Sequence, residues 1–529
     1  MIASFEPDHA DRVALIGAGI GGLAAAARLA AAGCDVEVFE RHATPGGKMR
    51  TQPSRAGPVD AGPTVLTMLP VFEELFGALG TTLEARLTLH RQHVLARHVW
   101  PDGSRLDLFD SEDANAEAIA AFAGADEARR FRAFGARARR LYAAFEAPMM
   151  HAARPSLPRL GATVMRRPRL LADMAPLSTL AGMLARQFRD PRLAQLFGRY
   201  ATYVGGSPYQ SPALLSLIWQ AEAAGVWVVE GGMHRLARVL EEEATAHGAR
   251  FHYGTHVAAL ETDAQGIAAL RLADGTRVPA RRVLFNGDPR ALATGALGPD
   301  VSTVAPQTAR KPRSLSAQVW AFAARPSGVE LAHHNVFFCA DGRAEFDDLR
   351  HGRPPRAPTL YVCAQDRGKA AAPPPLERFE IIVNAPPLSG LSHPAEEYAA
   401  CRKRTFETLA RMGLSFDPIP GPEALTTPAG FERLFPASAG SLYGQSPHGM
   451  TASLGRPRAR TGIPGLYLAG GGAHPGAGVP MATLSARHAA EAILNDRIST
   501  STSRPMAMPG GMSTASRTTA PAPSRSSGS

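Results

Sequence analysis

Apolar and polar positions along the chain fall into several distinct patterns. A short apolar run, Val13 to Ile16, and an alternating stretch, Asp35 to Phe39, have strand length and flank an alanine-rich stretch, Ile20 to Ala32, that reads as a helix. Together they predict a β–α–β unit that opens a nucleotide-binding domain. From Ser111 to about Ala224 the period becomes helical, and prolines 148, 155, 158, 168 and 176 break it into a helical insertion. Within it, Asp126 to Phe145 puts Phe131, Phe134, Ala138, Leu141 and Phe145 on one face and arginines on the other. A helix from Met233 to His247 and strands at Arg250 to Tyr253, Thr255 to Glu261, Gly266 to Leu272 and Arg282 to Phe285 then return to the first domain.

From about Pro289 to Arg456, apolar strands alternate with proline-rich turns: Ser316 to Phe322, Val336 to Phe338, Thr359 to Val362 and Glu380 to Asn384. They predict an antiparallel sheet, completed by a helix around Glu396 to Arg411, that walls a long cavity. A strand, a glycine-rich turn and a helix from Ala482 to Leu494 close the folded part. The expected fold class is α/β, with the nucleotide domain assembled from 1–107, 225–290 and 457–497. The helical region spans 108–224 and the substrate sheet 291–456. The serine-, proline- and alanine-rich end, 498–529, is too poor in apolar surface to fold and reads as a disordered tail.

The chemistry sits at the glycines. Gly17 permits the sharp turn, Gly19 brings the backbone up to a pyrophosphate, and Gly22 lets the helix lie on the sheet with its free N–H groups facing the phosphates. Glu40, at the end of the second strand, stands where an acid takes ribose hydroxyls and repels a 2′-phosphate, which favours FAD or NAD over NADP. Near the C-terminus, Gly470, Gly471, Gly478 and Val479 belong to a second turn-and-helix opening with Pro480. Such a helix start stabilises negative charge on a reduced flavin ring.

The 529 residues suffice for more than one core, and 45% hydrophobic with 20% charged is ordinary for a globular protein. No apolar run reaches the ~20 residues of a membrane-spanning helix. The acidic start, MIASFEPDHADR, is no secretory signal, so a cytoplasmic location is expected. Cys34, Cys339, Cys363 and Cys401 are scattered and read as small buried side chains, with no disulfide and no metal site. Between positions 129 and 169 eleven arginines face one acid, Glu146, an excess of +10 that equals the net charge of the whole chain. Beside it lie Leu170, Leu171, Met174, Leu177, Leu180 and Met183. This basic amphipathic patch suits an anionic bilayer surface, and equally a solvated helix face. No nucleic-acid motif accompanies the charge.

The run Arg41-His42-Ala43-Thr44-Pro45-Gly46-Gly47-Lys48 after the second strand resembles the flavin amine oxidase and carotenoid desaturase superfamily, in which the glycine pair holds the backbone against the cofactor's phosphates. LYLAGGGAHPGAGVP, from Leu466 to Pro480, is similar to the carotenoid desaturase signature, as are Asp60–Met68, Tyr203–Pro208, His333–Phe338, Asn384–Pro387 and Gly440–Gly444. The resemblance covers residues 10 to 495. VDAGPTVLTM and HPGAGVPMATLS resemble the bacterial branch acting on 1-hydroxy or methoxy carotenoids. It implies FAD as cofactor, held by Gly17, Gly19, Gly22, Glu40, Arg41, Gly46, Gly47, Lys48, Gly470, Gly471, Gly478 and Val479, with the Val257 backbone at the adenine. Many superfamily members carry Asp where Gly471 stands, so backbone N–H groups must substitute here.

The implied reaction is a C3–C4 desaturation, in which a hydride passes from an allylic carbon to oxidised flavin and a neighbouring proton is lost. The residues do not assign the proton acceptor. His333, His334 and His474 are candidates, and also read as structural histidines. With no second glycine motif for a nicotinamide, the expected electron acceptor is oxygen or a membrane quinone, with the protein peripheral on the inner membrane. A phytoene desaturase, a flavin amine oxidase and a non-catalytic carrier of the same fold are the alternatives.

Overall fold

The computed structural model describes residues 12–389 and 394–502. The expected acidic start and most of the expected tail lie outside the described residues. The tail's first part does not: the last helix, Val479–Thr502, continues past 497.

Five parallel strands form the nucleotide sheet, in the order Leu466–Leu468, Arg282–Phe285, Arg12–Ile16, Asp35–Phe39, Arg250–His252. Val13 lies between Val36 and Arg282, and Val283 pairs with Leu466, so the two ends of the chain are one strand apart. Buried on both faces, the central strand needs a continuous apolar run, and VALI supplies it. The helix Ile20–Ala31 covers one face together with His234–Ala246 and the last helix. Its alanines 24–27 are fully buried against Leu236, Leu240, Leu484 and Ile493. A three-stranded antiparallel sheet, Val257–Asp263, Gly266–Leu272 and Arg277–Pro279, covers the other face through Val257, Leu260, Ile267 and Leu270.

The substrate sheet is mixed rather than antiparallel. Its eight strands include the antiparallel pair Val94–Val99 and Arg105–Phe109. Val94–Val99 pairs in parallel with His334–Phe337, in the register Asn335 to Arg97, so the sheet takes residues from the stretch 1–107 expected to belong to the nucleotide domain. Strands alternate their side chains across the sheet. Trp320, Phe337, Val362, Phe379 and Ile381 enter one core with Cys401, Phe406 and Leu409 of the helix Pro394–Arg411. Val319, Val336, Tyr361, Glu380, Ile382 and Asn384 point to a cavity on the other side.

The helical insertion follows its pattern closely. Ala125–Phe145 buries Phe131, Phe134, Ala138, Leu141 and Phe145. A π-helical turn, Glu146–His151, forms around Pro148, where the missing N–H breaks the α ladder. Many of its arginines are paired: Arg132 with Asp113 at 2.7 Å, Arg140 with Asp173 at 2.7 Å, and Arg129 and Arg139 with Asp126 and Glu112. Among the described residues of this stretch, Arg154, Arg166, Arg167 and Arg169 are exposed and have no ion pair. No helix among the described residues is long and apolar enough to cross a membrane.

Candidate functional site

The turn after the first strand is held on three sides. Gly17 has φ +98° and donates its N–H to Phe39 at 2.9 Å, Asn286 Nδ2 donates to the Gly17 carbonyl at 3.2 Å, and Gly46 donates to Ala18 at 2.8 Å. The following helix starts without a side-chain cap and without an acid in its first turn, so its leading N–H groups are left for a ligand anion. At Gly22, tucked beneath the turn, a Cβ would collide with the Gly17 carbonyl, the close packing its glycine was expected to serve.

Gly21 was not among the expected residues, yet it is where the two glycine motifs meet. A methyl there would stand 2.8 Å from Gly470 Cα and 2.6 Å from Asn286 Oδ1. Apart from Gly22, every residue expected at the cofactor lines one continuous cavity of about 1280 Å³: Gly17, Gly19, Glu40, Arg41, Gly46, Gly47, Lys48, Val257, Gly470, Gly471, Gly478 and Val479. Glu40 is buried, with its carboxylate already accepting Ala18 N–H at 2.7 Å and His42 N–H at 2.8 Å; the remaining lone pairs face the cavity. The backbone of Thr255 and Gly254 is zipped onto Glu40 and His42 at 2.9 and 3.0 Å, and this sets Val257 beside the acid.

At the other end of the cradle, Lys48 Nζ donates to the Leu442 carbonyl at 2.5 Å. Loss of hydration pushes its ammonium down to about 8, against the pull of Asp288 and with Arg313 and Arg456 adding to the fall. Arg456, another residue missed in the sequence, is buried and clamps this wall: it donates to Gly471 O at 2.7 Å, Tyr443 O at 3.1 Å and Gln445 O at 3.4 Å. Its burial lowers the guanidinium to about 10. It is tied to the carbonyl of Gly471, one of the glycines expected at the cofactor. An uncapped helix start, a row of glycines, a buried acid at the ribose end and two cations at the far end fit a dinucleotide that carries a flavin ring.

None of the three candidate histidines lines this cavity. His474 donates Nε2–H to Ala152 O at 2.9 Å, and burial lowers it. His333 is bonded through Nδ1 to Arg367 O at 2.7 Å and through Nε2 to the Cys363 thiol at 3.4 Å; burial holds it at about 4. His334 Nδ1 meets Tyr361 Oη at 2.6 Å, and burial pushes it well down. All four cysteines are buried. Cys363 also shares a His333–His334–Cys363 group whose donor atoms lie within 4.8 Å of one another. The expectation of scattered cysteines did not foresee it.

Past the cradle the cavity becomes an apolar arm between the substrate sheet and the helical insertion, lined by Phe145, Met149, Leu160, Val164, Met174 and Leu454. The whole exceeds the ~300–1,000 Å³ typical of one drug-sized ligand. It ends at Met165 and Leu171, which are 80% and 49% exposed, and near them Leu177 is fully exposed.

The model of the flavin containing amine oxidoreductases matches residues 20–323. Hydroxyneurosporene desaturase of Cereibacter sphaeroides is 55% identical over 93% of this chain and 99% of that protein. The chain belongs to this carotenoid desaturase branch. Hydroxyneurosporene desaturase of Rhodobacter capsulatus is 53% identical over 92% of this chain and 98% of its own length. Among solved structures, an oxidoreductase from Methanosarcina mazei shares the fold at TM-score 0.57 and 17% identity, covering 91% of this chain and 100% of that one. The desaturase is thus a flavin-dependent oxidoreductase with FAD as cofactor.

Proposed function

We propose that this desaturase forms the C3–C4 double bond of a 1-hydroxy or 1-methoxy carotenoid while docked on a membrane surface, with oxygen or a quinone taking the electrons. The observation that carries the reading is the continuity of the cavity: one end is a glycine cradle, the other an apolar arm walled by helices whose outer residues are bare. Met165 and Leu171 line the arm and also face solvent, beside Arg166, Arg167 and Arg169. Apolar side chains ringed by unpaired arginines suit the headgroup region of an anionic bilayer, the phase that dissolves such a substrate.

Bound FAD supplies the hydride acceptor. The chain's own work is to hold the polyene along the arm, to exclude water through Phe145, Met149 and Leu160, and to fix the allylic carbon against the ring end of the cradle. The test is incubation of FAD-loaded protein with liposome-dissolved 1-hydroxycarotenoid and phytoene in parallel. A red shift with the first alone supports the reading. Conversion of phytoene makes the protein a phytoene desaturase, peroxide release with amines an amine oxidase, and failure to bind FAD or bleach a carrier.

A further inference from the structure

On the cavity face of the substrate sheet, one side chain has no explanation so far. Glu380 lies in the strand Glu377–Ala385, opposite Ala321 on one side and Cys363 on the other, and it lines the cavity. It is fully buried, and both its carboxyl oxygens lack a hydrogen-bond partner. Among the described residues no other carboxyl is buried with both oxygens unpaired. The other buried acids are satisfied in part or in full: Glu345 accepts Thr359 Oγ1 at 2.7 Å, Glu222 accepts Tyr200 Oη at 2.6 Å, and Asp60 accepts Met233 N–H at 2.6 Å. Buried polar groups are paired as a rule, and an orphaned carboxyl in an apolar wall costs stability, so its place calls for a ligand.

Its position along the cavity restricts that ligand. Glu380 is an electrostatic neighbour of Tyr443, Arg50 and Asp60. Tyr443 follows Leu442, whose carbonyl receives Lys48, and its own carbonyl receives Arg456, which also holds Gly471. The acid therefore stands where the cradle opens into the apolar arm, at the redox end rather than the outer end. In a carotenoid desaturated at C3–C4 with oxygen on C1, that oxygen is separated from the reacting carbons by only a few bonds. Its seat must be beside the flavin ring.

We propose that the Glu380 carboxyl is the seat of the C1 oxygen, and that this one hydrogen-bonding group selects an oxygenated end group and sets C3 and C4 against the cofactor. Burial pushes the carboxyl well above the usual range, with the Asp60 charge adding to the rise and Arg50 opposing it, which favours its protonated form. A protonated carboxyl donates to either a hydroxyl or an ether oxygen and also accepts a hydroxyl proton; a carboxylate cannot donate to an ether. The end group reaches it by a side-chain rotation, the commonest adjustment on binding. The inference rests on the 1-oxygenated substrate reading above.

The test compares Glu380→Leu and Glu380→Gln with wild type, all loaded with FAD, on 1-hydroxyneurosporene and on neurosporene. Dissociation constants from quenching of protein fluorescence and kcat/KM are both measured. Glu380→Leu removes the partner of a buried hydroxyl and should lower the hydroxy-to-plain ratio about tenfold to a hundredfold, mainly through Kd and KM. Glu380→Gln, which still donates and accepts, should restore the ratio to within about threefold of wild type. Both should fold, because each replaces an orphaned buried acid by a neutral side chain of similar size. An unchanged ratio in Glu380→Leu overturns the proposal alone. Equal losses on both substrates do the same and make Glu380 a group of the chemical step or the scaffold. A wild type without preference for the oxygenated polyene removes the substrate reading and this proposal together.

Discussion

Replacing Gly21 by alanine sets two effects of opposite sign against each other. Alanine gains up to about 1 kcal/mol over glycine in a helix interior, and less in the first turn where residue 21 sits. Against this, the new methyl stands 2.8 Å from Gly470 Cα and 2.6 Å from Asn286 Oδ1. Carbon pairs settle at about 3.5–4.0 Å, so the two glycine turns must part by about 1 Å. Neither side yields cheaply. Ala469 is tied to Phe285 O at 3.1 Å, and Asn286 holds the Gly17 carbonyl. Overpacking of this kind costs about 1–3 kcal/mol, which outweighs the propensity gain and leaves a net loss of about 1–2 kcal/mol. The cofactor spans both turns, and a gap wider by ~1 Å should weaken FAD binding about tenfold. Thermal unfolding with and without FAD, together with flavin-fluorescence titration, reads both quantities. Gly77→Ala is the control: it lies in the exposed part of the helix Leu69–Ala78 with no atom within 4 Å of its missing Cβ, and it should stabilise the protein. A rise in Tm for Gly21→Ala with unchanged FAD affinity would refute the reasoning, since the two ends would then not be in contact.

Arg456→Met should raise the FAD dissociation constant at least tenfold, because three carbonyls of the final glycine wall lose a charged donor worth about 1.5–3 kcal/mol; retention of flavin through gel filtration at the wild-type level would contradict this. Met165→Glu with Leu177→Glu should abolish co-sedimentation with anionic liposomes while leaving FAD content intact, and undiminished sedimentation would rule out this patch as the docking face. His98, buried between Trp100 and Phe338, is held at about 3 by burial first and the Arg199 charge second. Its folded-state value is depressed, so the unfolded chain binds the extra proton. Stability is unaffected above about 6.5 and falls as pH drops from there towards 3, by about 1.4 kcal/mol per unit. His98→Phe should flatten the stability profile in that window, measured by denaturant unfolding; a parallel profile would show that His98 does not titrate on unfolding.

The local parts of this structure are written plainly in the chain. The first strand, helix and second strand fall within a residue of their apolar runs, and the face of the helix Ala125–Phe145 is the one its period of 3.6 dictates. What escapes a sequence reading is pairing at a distance. Asn335 lies beside Arg97 in a parallel ladder with no local mark, and this is how a hairpin from the early chain joins the substrate sheet. Gly21 and Arg456 look unremarkable in sequence because their roles depend on Gly470 and Gly471, far along the chain. Glu380 did leave a trace: Glu380, Ile382 and Asn384 alternate onto one side of a strand otherwise built for a core, and an acid in the middle of such a strand is a signal in its own right.

The parallel nucleotide sheet recruits its outer strand, Leu466–Leu468, only after nearly nine-tenths of the polypeptide has been made. Until that strand leaves the ribosome, Arg282–Phe285 has a bare edge and no prosthetic group has anything to grip. Completion of the cradle is consequently a late event in the making of the chain. A product terminated just before Gly465 would keep the opening turn and the residues named for the apolar arm and still be colourless.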